Sequence, residues 1–137
     1  MCTTPSQTVG PYYSIGLCRR PDDELAADGV ELAGVLLDGR GEPIRDGVVE
    51  VIDPASRRWG RSGTDAEGRF HFRVPREARR LEAFVFARGL LRHQLTRIYL
   101  DGGADAEDET LVAAADGDGF RFDIRMQGDR ATLFFDH

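Results

Sequence analysis

Histidines, tyrosines, cysteines and clustered carboxylates are the side chains that usually carry catalysis or hold metals, and this sequence keeps them apart. The imidazole inventory is His71, His93 and His137, with Tyr12, Tyr13 and Tyr99 as available phenolates. A strand presents two imidazoles on one face at i, i+2, yet no His-x-His occurs, and no histidine pair has i, i+4 spacing. His71 lies between Arg69 and Arg73 on what alternation makes the polar face of a strand, and reads as a solvated residue. The run Asp116-Gly117-Asp118-Gly119 has the acidic spacing of a calcium loop's opening. It lacks a third oxygen ligand at the right offset, and Gln127 stands where the closing glutamate belongs. No G-x-S-x-G elbow presents a serine. Cys2 and Cys18 have no C-x-x-C spacing and read as free thiols.

One charged residue stands at a position built to hold it. The stretch Leu81 to Asp101 contains two strand-like runs, with Phe84 and Phe86 alternating with Ala83, Val85 and Ala87, and with Leu95, Ile98, Tyr99 and Leu100 following. Arg88 and Gly89 mark the bend between them. An arginine at a strand end, beside a glycine free to take positive φ, is anchored by scaffold while its guanidinium reaches outward. Arg88 therefore reads either as a ligand contact or as a salt-bridged surface arginine.

The elements that must position these residues are short strands. Glu31 to Leu37 is the first, ended by the turn residues Asp38-Gly39 and Gly41 with Pro43 following, and Val48 to Ile52 is the second, closed by Asp53-Pro54. Phe70, Phe72 and Val74 alternate with charged residues in a half-buried third strand, entered through the turn Thr64 to Gly68. After the central hairpin, Phe120, Phe122, Ile124 and Met126 alternate with polar residues. Ala131 to Phe135 is expected to pair with them across the loop Gln127-Gly128-Asp129. The acidic, alanine-rich interval Asp101 to Asp118 reads as a surface loop with at most one helical turn near Glu107 to Ala114. Seven to eight short, mostly antiparallel strands predict an all-β, single-domain β-sandwich over residues 30–137.

Residues 1–29 read differently, as an extended N-terminal arm punctuated by Pro5, Gly10, Pro11, Gly16, Pro21 and Gly29, with one helical turn expected over Pro21 to Asp28. Val9, Tyr12, Tyr13, Ile15 and Leu17 give the arm an apolar side that must pack on its own sandwich or on a partner chain. With 137 residues, 41% of them hydrophobic and 31% charged, the chain supports one core. Its net charge of −6, with arginines scattered among acids, argues against a nucleic-acid partner. Without an apolar leader-like run or a bilayer-length apolar stretch, a cytoplasmic location is expected.

Three segments in order, TPSQTVGPYYSIGL (Thr4 to Leu17), FARGLLRHQLTRIYLD (Phe86 to Asp101) and FRFDIRMQGDRATLFFD (Phe120 to Asp136), resemble the alpha subunits of the protocatechuate 3,4-dioxygenases, intradiol ring-cleaving enzymes of aromatic catabolism. The resemblance implies a β-sandwich in a hetero-oligomer of alpha-beta protomers. In that family the beta subunit carries a non-haem Fe(III) on two tyrosines and a His-x-His pair. It cleaves protocatechuate with O2 to 3-carboxy-cis,cis-muconate. At the matching His-x-His place this chain reads Arg80-Leu81-Glu82, and Asp53 to Trp59 has no tyrosine, so no cofactor is expected in this chain itself.

By the same resemblance Thr8, Gly10, Pro11 and Arg88, with Tyr12 beside them, match positions that line the substrate pocket at the alpha-beta interface. None of them is catalytic. A flat dihydroxybenzoate suits close backbone contact from Gly10-Pro11 and a guanidinium near its carboxylate. The chain is shorter than such subunits, its loops trimmed between Asp53 and the expected turn at Gly60-Arg61 and again between Pro75 and Arg80. Those trimmed loops also fit a free-standing, transthyretin-like sandwich that binds a partner through its arm and has no enzymatic role.

Overall fold

The computed structural model describes Pro5 and residues 22–136. Among these residues nine strands form two sheets. One sheet has the order β3-β2-β5-β6, built from β2 (Val48–Asp53), β3 (Arg58–Gly63), β5 (Arg80–Phe86) and β6 (Gln94–Tyr99), all neighbours antiparallel. The other has the order β4-β1-β8-β7, from β1 (Val30–Leu37), β4 (Arg69–Val74), β7 (Ala114–Asp116) and β8 (Gly119–Arg121), and β9 (Ile124–Arg125) extends it along β1. β1 pairs antiparallel with β4 but parallel with β8 and β9. A single 3-10 turn, Glu109–Leu111, interrupts the loop before β7.

Alternation decides which face each strand buries. Leu32 and Leu36 of β1 and Phe70, Phe72 and Val74 of β4 meet Val49 and Val51 of β2 and Leu81, Ala83 and Val85 of β5, all essentially inaccessible to solvent. Gly34 occupies the one inward place on β1 without a side chain. A Cβ there would stand 1.8 Å from the Phe122 carbonyl oxygen and 2.7 Å from Cζ of Phe70, so glycine makes room for the crossing chain and the ring together.

The strand expected over Phe120 to Met126 is split, because the Asp123 side chain takes over one rung of the ladder. Its Oδ1 accepts the Val35 N–H at 3.0 Å, between the backbone bonds from Phe122 N to Ala33 O and from Met126 N to Leu37 O, both 2.9 Å. The hairpin partner expected over Ala131 to Phe135 does not form either. Thr132 returns two bonds to Arg125, its N–H at 2.9 Å and its Oγ1 at 3.0 Å. The chain then crosses to the edge of β6, where Phe135 N donates to Leu95 O at 2.8 Å and the buried Thr96 hydroxyl donates to Leu133 O at 2.8 Å.

β3, where a turn at Gly60-Arg61 was expected, is an edge strand whose sequence lacks apolar alternation. Gly60 faces inward because Leu25 fills the space beside it, Cδ1 lying 2.5 Å from where a Cβ would be. Before β1 the described residues run extended over 22–25 and then make a single turn closed by Gly29 N donating to Ala26 O at 3.1 Å, in place of the expected helical turn. Arg61 N donates to Asp22 O and Arg73 N to Asp23 O, both 2.8 Å, so residues 22–25 satisfy backbone groups of an edge strand in each sheet.

Candidate functional site

Arg88 stands in the turn two residues past Phe86, the end of β5, and the register explains what it meets. Val48 pairs with Phe86 and Glu50 with Phe84, so the same antiparallel register carried past the strand ends sets Asp46 opposite Arg88. Asp46 Oδ2 forms an ion pair with Arg88 Nε, and the arginine side chain keeps 57% of its exposure while that of the aspartate keeps 25%. Gly89 turns the chain at φ 87° with open space around it. Phe84 and Phe86 occupy alternate positions of β5 opposite to the buried Leu81, Ala83 and Val85, so they lie on the outer face of the four-stranded sheet, half-buried. His93, from the loop that returns to β6, lies against both rings with centroid separations of 5.5 and 5.3 Å. The arrangement is a guanidinium at the end of an aromatic shelf, suited to a flat ring bearing a carboxylate.

The other end of that face carries different chemistry. Arg80 lies 3.5 Å from Glu82, and Arg97 of β6 reaches Glu82 at 3.8 Å while pairing closely with Glu107. The Tyr99 hydroxyl donates to the second Glu107 oxygen at 2.9 Å. Glu107 is held below the usual carboxylate range by its own backbone N–H, by that hydroxyl and by Arg97. Burial works against the Arg97 charge, but Glu107 and Glu82 outweigh it and the guanidinium pKa rises. Cations neutralise the carboxylates here, and Tyr99 is 5% exposed with its hydroxyl committed. Among the described residues no three histidine, cysteine or carboxylate side chains converge on a common point. This donor set does not fit a ferric ion.

Of the residues singled out from sequence, Thr8, Gly10, Pro11 and Tyr12 lie outside the described residues. Arg88 stands where the bend predicted it. His71 lies on the outer face of the other sheet, 3.5 Å from Asp23 and 3.6 Å from Glu31, remote in the fold from the Arg88 shelf. Asp46 as the ion-pair partner of Arg88, and His93 against Phe84 and Phe86, were not anticipated. Asp46 becomes visible only once β2 is paired with β5, and nothing in the sequence alone sets that register.

The two-sheet arrangement has the fold of ring-cleaving dioxygenases. It matches the dioxygenase domain of a dioxygenase and carbohydrate-binding fusion from Streptomyces sp. SirexAA-E at TM-score 0.60 and 22% identity, covering 91% of this chain and 98% of that one. An intradiol ring-cleavage dioxygenase from Tetranychus urticae matches at TM-score 0.54 and 14% identity, covering 90% and 93%. These likenesses are of fold. In sequence, the protocatechuate 3,4-dioxygenase alpha chain of Burkholderia cepacia is 35% identical over 191 aligned positions, covering 97% of this chain and 96% of that one. That of Pseudomonas putida is 31% identical with the same coverages. The chain belongs to the protocatechuate 3,4-dioxygenase alpha-chain family. The 191 aligned positions exceed the 137 residues here, so these relatives carry segments that this chain lacks. No protein-family model matches the chain.

Proposed function

We propose that this chain is the non-catalytic alpha subunit of a protocatechuate 3,4-dioxygenase and completes the substrate pocket of a beta subunit. What supports the reading is the ion-pair network of Arg80, Glu82, Arg97 and Glu107, whose groups neutralise one another and leave no free donor set for a ferric ion, in the stretch that the family resemblance sets against the beta subunit's ligand pair. Cleavage of protocatechuate with O2 to 3-carboxy-cis,cis-muconate then takes place at the beta subunit, which brings the non-haem Fe(III). The role of this chain is to bind and enclose.

Arg88 serves the substrate carboxylate. It stands six residues beyond Glu82, past the end of β5, about 20 Å away at the rise of an extended chain and too far for its side chain to serve the Arg80-Glu82 end of its own sheet. Its outward position fits service to a neighbouring chain. Thr8, Gly10, Pro11 and Tyr12 of the arm, residues 1–29, complete the pocket wall, with Gly10-Pro11 giving the ring close backbone contact. The sandwich domain spans 30–137, and the assembly is a higher oligomer of alpha-beta protomers working in the cytoplasm. No helix among the described residues is long and apolar enough to cross a membrane.

The test is iron content and protocatechuate-dependent oxygen uptake for this chain alone and co-expressed with a beta subunit from its operon. The expected result is an inactive chain without stoichiometric iron alone, and an iron-loaded, active complex together. Iron binding and oxygen uptake by the isolated chain would overturn the division of labour. Failure to associate with any beta chain would leave a free-standing interaction module.

A further inference from the structure

We propose that Asp46 is a positioning residue for the substrate carboxylate, fixing Arg88 so that the far edge of its guanidinium faces the pocket. This deepens the reading of Arg88 as a pocket residue and rests on it.

The geometry divides the guanidinium in two. Asp46 engages Nε, the edge nearest the backbone. Asp46 is the one carboxylate paired with Arg88 among the described residues, and the outer Nη edge of a guanidinium held through Nε accepts a second carboxylate in bidentate fashion. An arginine beyond the end of a strand, next to a glycine at φ 87° and more than half exposed, would otherwise sample many rotamers. Asp46 stands at the corresponding point before β2, in the register that pairs Val48 with Phe86 and Glu50 with Phe84, so the clamp is set by the sheet itself. The aspartate is the less exposed partner, at 25%, and acts as the fixed end. Phe86 and His93, with ring centroids 5.3 Å apart, wall the same end of the sheet. A carboxylate that reaches Arg88 thus finds its donor already oriented, and less ordering entropy is lost on binding.

Asp46 also puts a negative charge near the substrate, which opposes binding of an anion. Orientation outweighs this repulsion, and the sign of the Asp46→Asn effect decides between the two. The experiment uses the assembled alpha-beta enzyme with protocatechuate, and with catechol as a probe that lacks the carboxylate. Asp46→Asn is expected to raise KM for protocatechuate about tenfold with kcat within about twofold, and to leave KM for catechol and the iron content unchanged. Asp46→Glu should recover part of the loss. In the double variant Asp46→Asn/Arg88→Ala the loss should be no larger than in Arg88→Ala alone, since both changes remove one interaction. If Arg88→Ala raises KM for protocatechuate while Asp46→Asn leaves it unchanged or lowers it, the positioning role is overturned and the pocket role stands. Should Arg88→Ala itself leave KM unchanged, the pocket reading fails. Equal losses for protocatechuate and catechol would mark Asp46 as a merely structural residue and end the proposal.

Discussion

The guanidinium of Arg97 lies over the Phe135 ring, its central carbon 4.4 Å from the centroid, which couples the C-terminal segment to β6 through a cation-π contact. The same guanidinium pairs with Glu107 from the loop before the 3-10 turn and lies 3.8 Å from Glu82 on β5. Its Nε is buried without a hydrogen bond, since the Glu82 distance is an ion-pair distance only. Four chain segments therefore meet on one side chain.

Arg97→Met, which keeps the stem and removes the charge, is expected to lower stability by about 1–3 kcal/mol. Glu107 and Glu82 would lose their cation and Phe135 its partner. Arg97→Lys should fall between the two, because an ammonium keeps the charge but loses the flat stacking face. Urea unfolding measures both, and equal stabilities for all three proteins would dismiss the network as a surface ornament.

Gly34→Ala should cost about 3 kcal/mol or more, because its Cβ would overlap the Phe122 carbonyl oxygen at 1.8 Å and no side-chain rotation relieves a backbone clash. Gly117→Ala is the contrast. Its φ of 58° costs about 1 kcal/mol, and nothing lies within 4 Å of the added carbon. If the two variants unfold at the same urea concentration, the close crossing of residues 122–123 over β1 is wrong.

Apolar, β-favouring runs made β1, β2, β4 and the β5-β6 hairpin legible, and in β4 the alternation of Phe70, Phe72 and Val74 with Arg69, His71 and Arg73 also gave the buried face. The turns were legible too. Asp38 and Asp65 each begin an Asp-x-x-Gly sequence, and each accepts backbone N–H groups two and four residues on, before a glycine at φ 82° and 75° respectively. What the sequence hid depends on pairing between distant segments. β3 carries Gly60 inward to admit Leu25, and the split between β8 and β9 depends on the Asp123 side chain replacing a backbone acceptor. The Asp46-Arg88 pair follows from register. Alternation reports which face a residue takes, but not which strand lies beside it.

Arg57 is the one non-glycine residue with positive φ among those described, at 62°, and it closes a turn with its N–H donating to Asp53 O at 2.7 Å. The turn is held independently of the Arg57 side chain. The Asp53 carboxylate, 2% exposed, accepts from the Ser56 hydroxyl at 2.6 Å and from the Ala55 N–H at 3.2 Å. Arg57→Gly is expected to raise stability by about 0.5–1 kcal/mol, the relief of left-handed strain exceeding the added freedom of the unfolded chain. Arg57→Ala, which keeps the strain, should leave stability near that of the parent. A gain from alanine equal to that from glycine would trace the effect to charge and not to backbone.

Acid should unfold the protein through carboxylates that the fold has made easier to ionise. Asp38 is lowered chiefly by the Glu42 N–H, Asp65 by the Arg69 N–H and side chain, Asp108 by Thr110, and Glu107 by its backbone N–H and Tyr99. A carboxylate whose folded pKa lies below its unfolded value of about 4 stabilises the fold fully above that value and loses the contribution as pH falls through the folded one. Stability is therefore expected to be flat from pH 7 to about 5 and to decline below about pH 4, with the folded protein taking up fewer protons than the unfolded chain across the decline. Asp65→Asn should shallow that decline, since the asparagine still caps the turn through its carbonyl oxygen but no longer titrates. Urea unfolding at a series of pH values measures both effects, and a slope that steepens in Asp65→Asn would mean that the Asp65 carboxylate does not stabilise the fold by ionising.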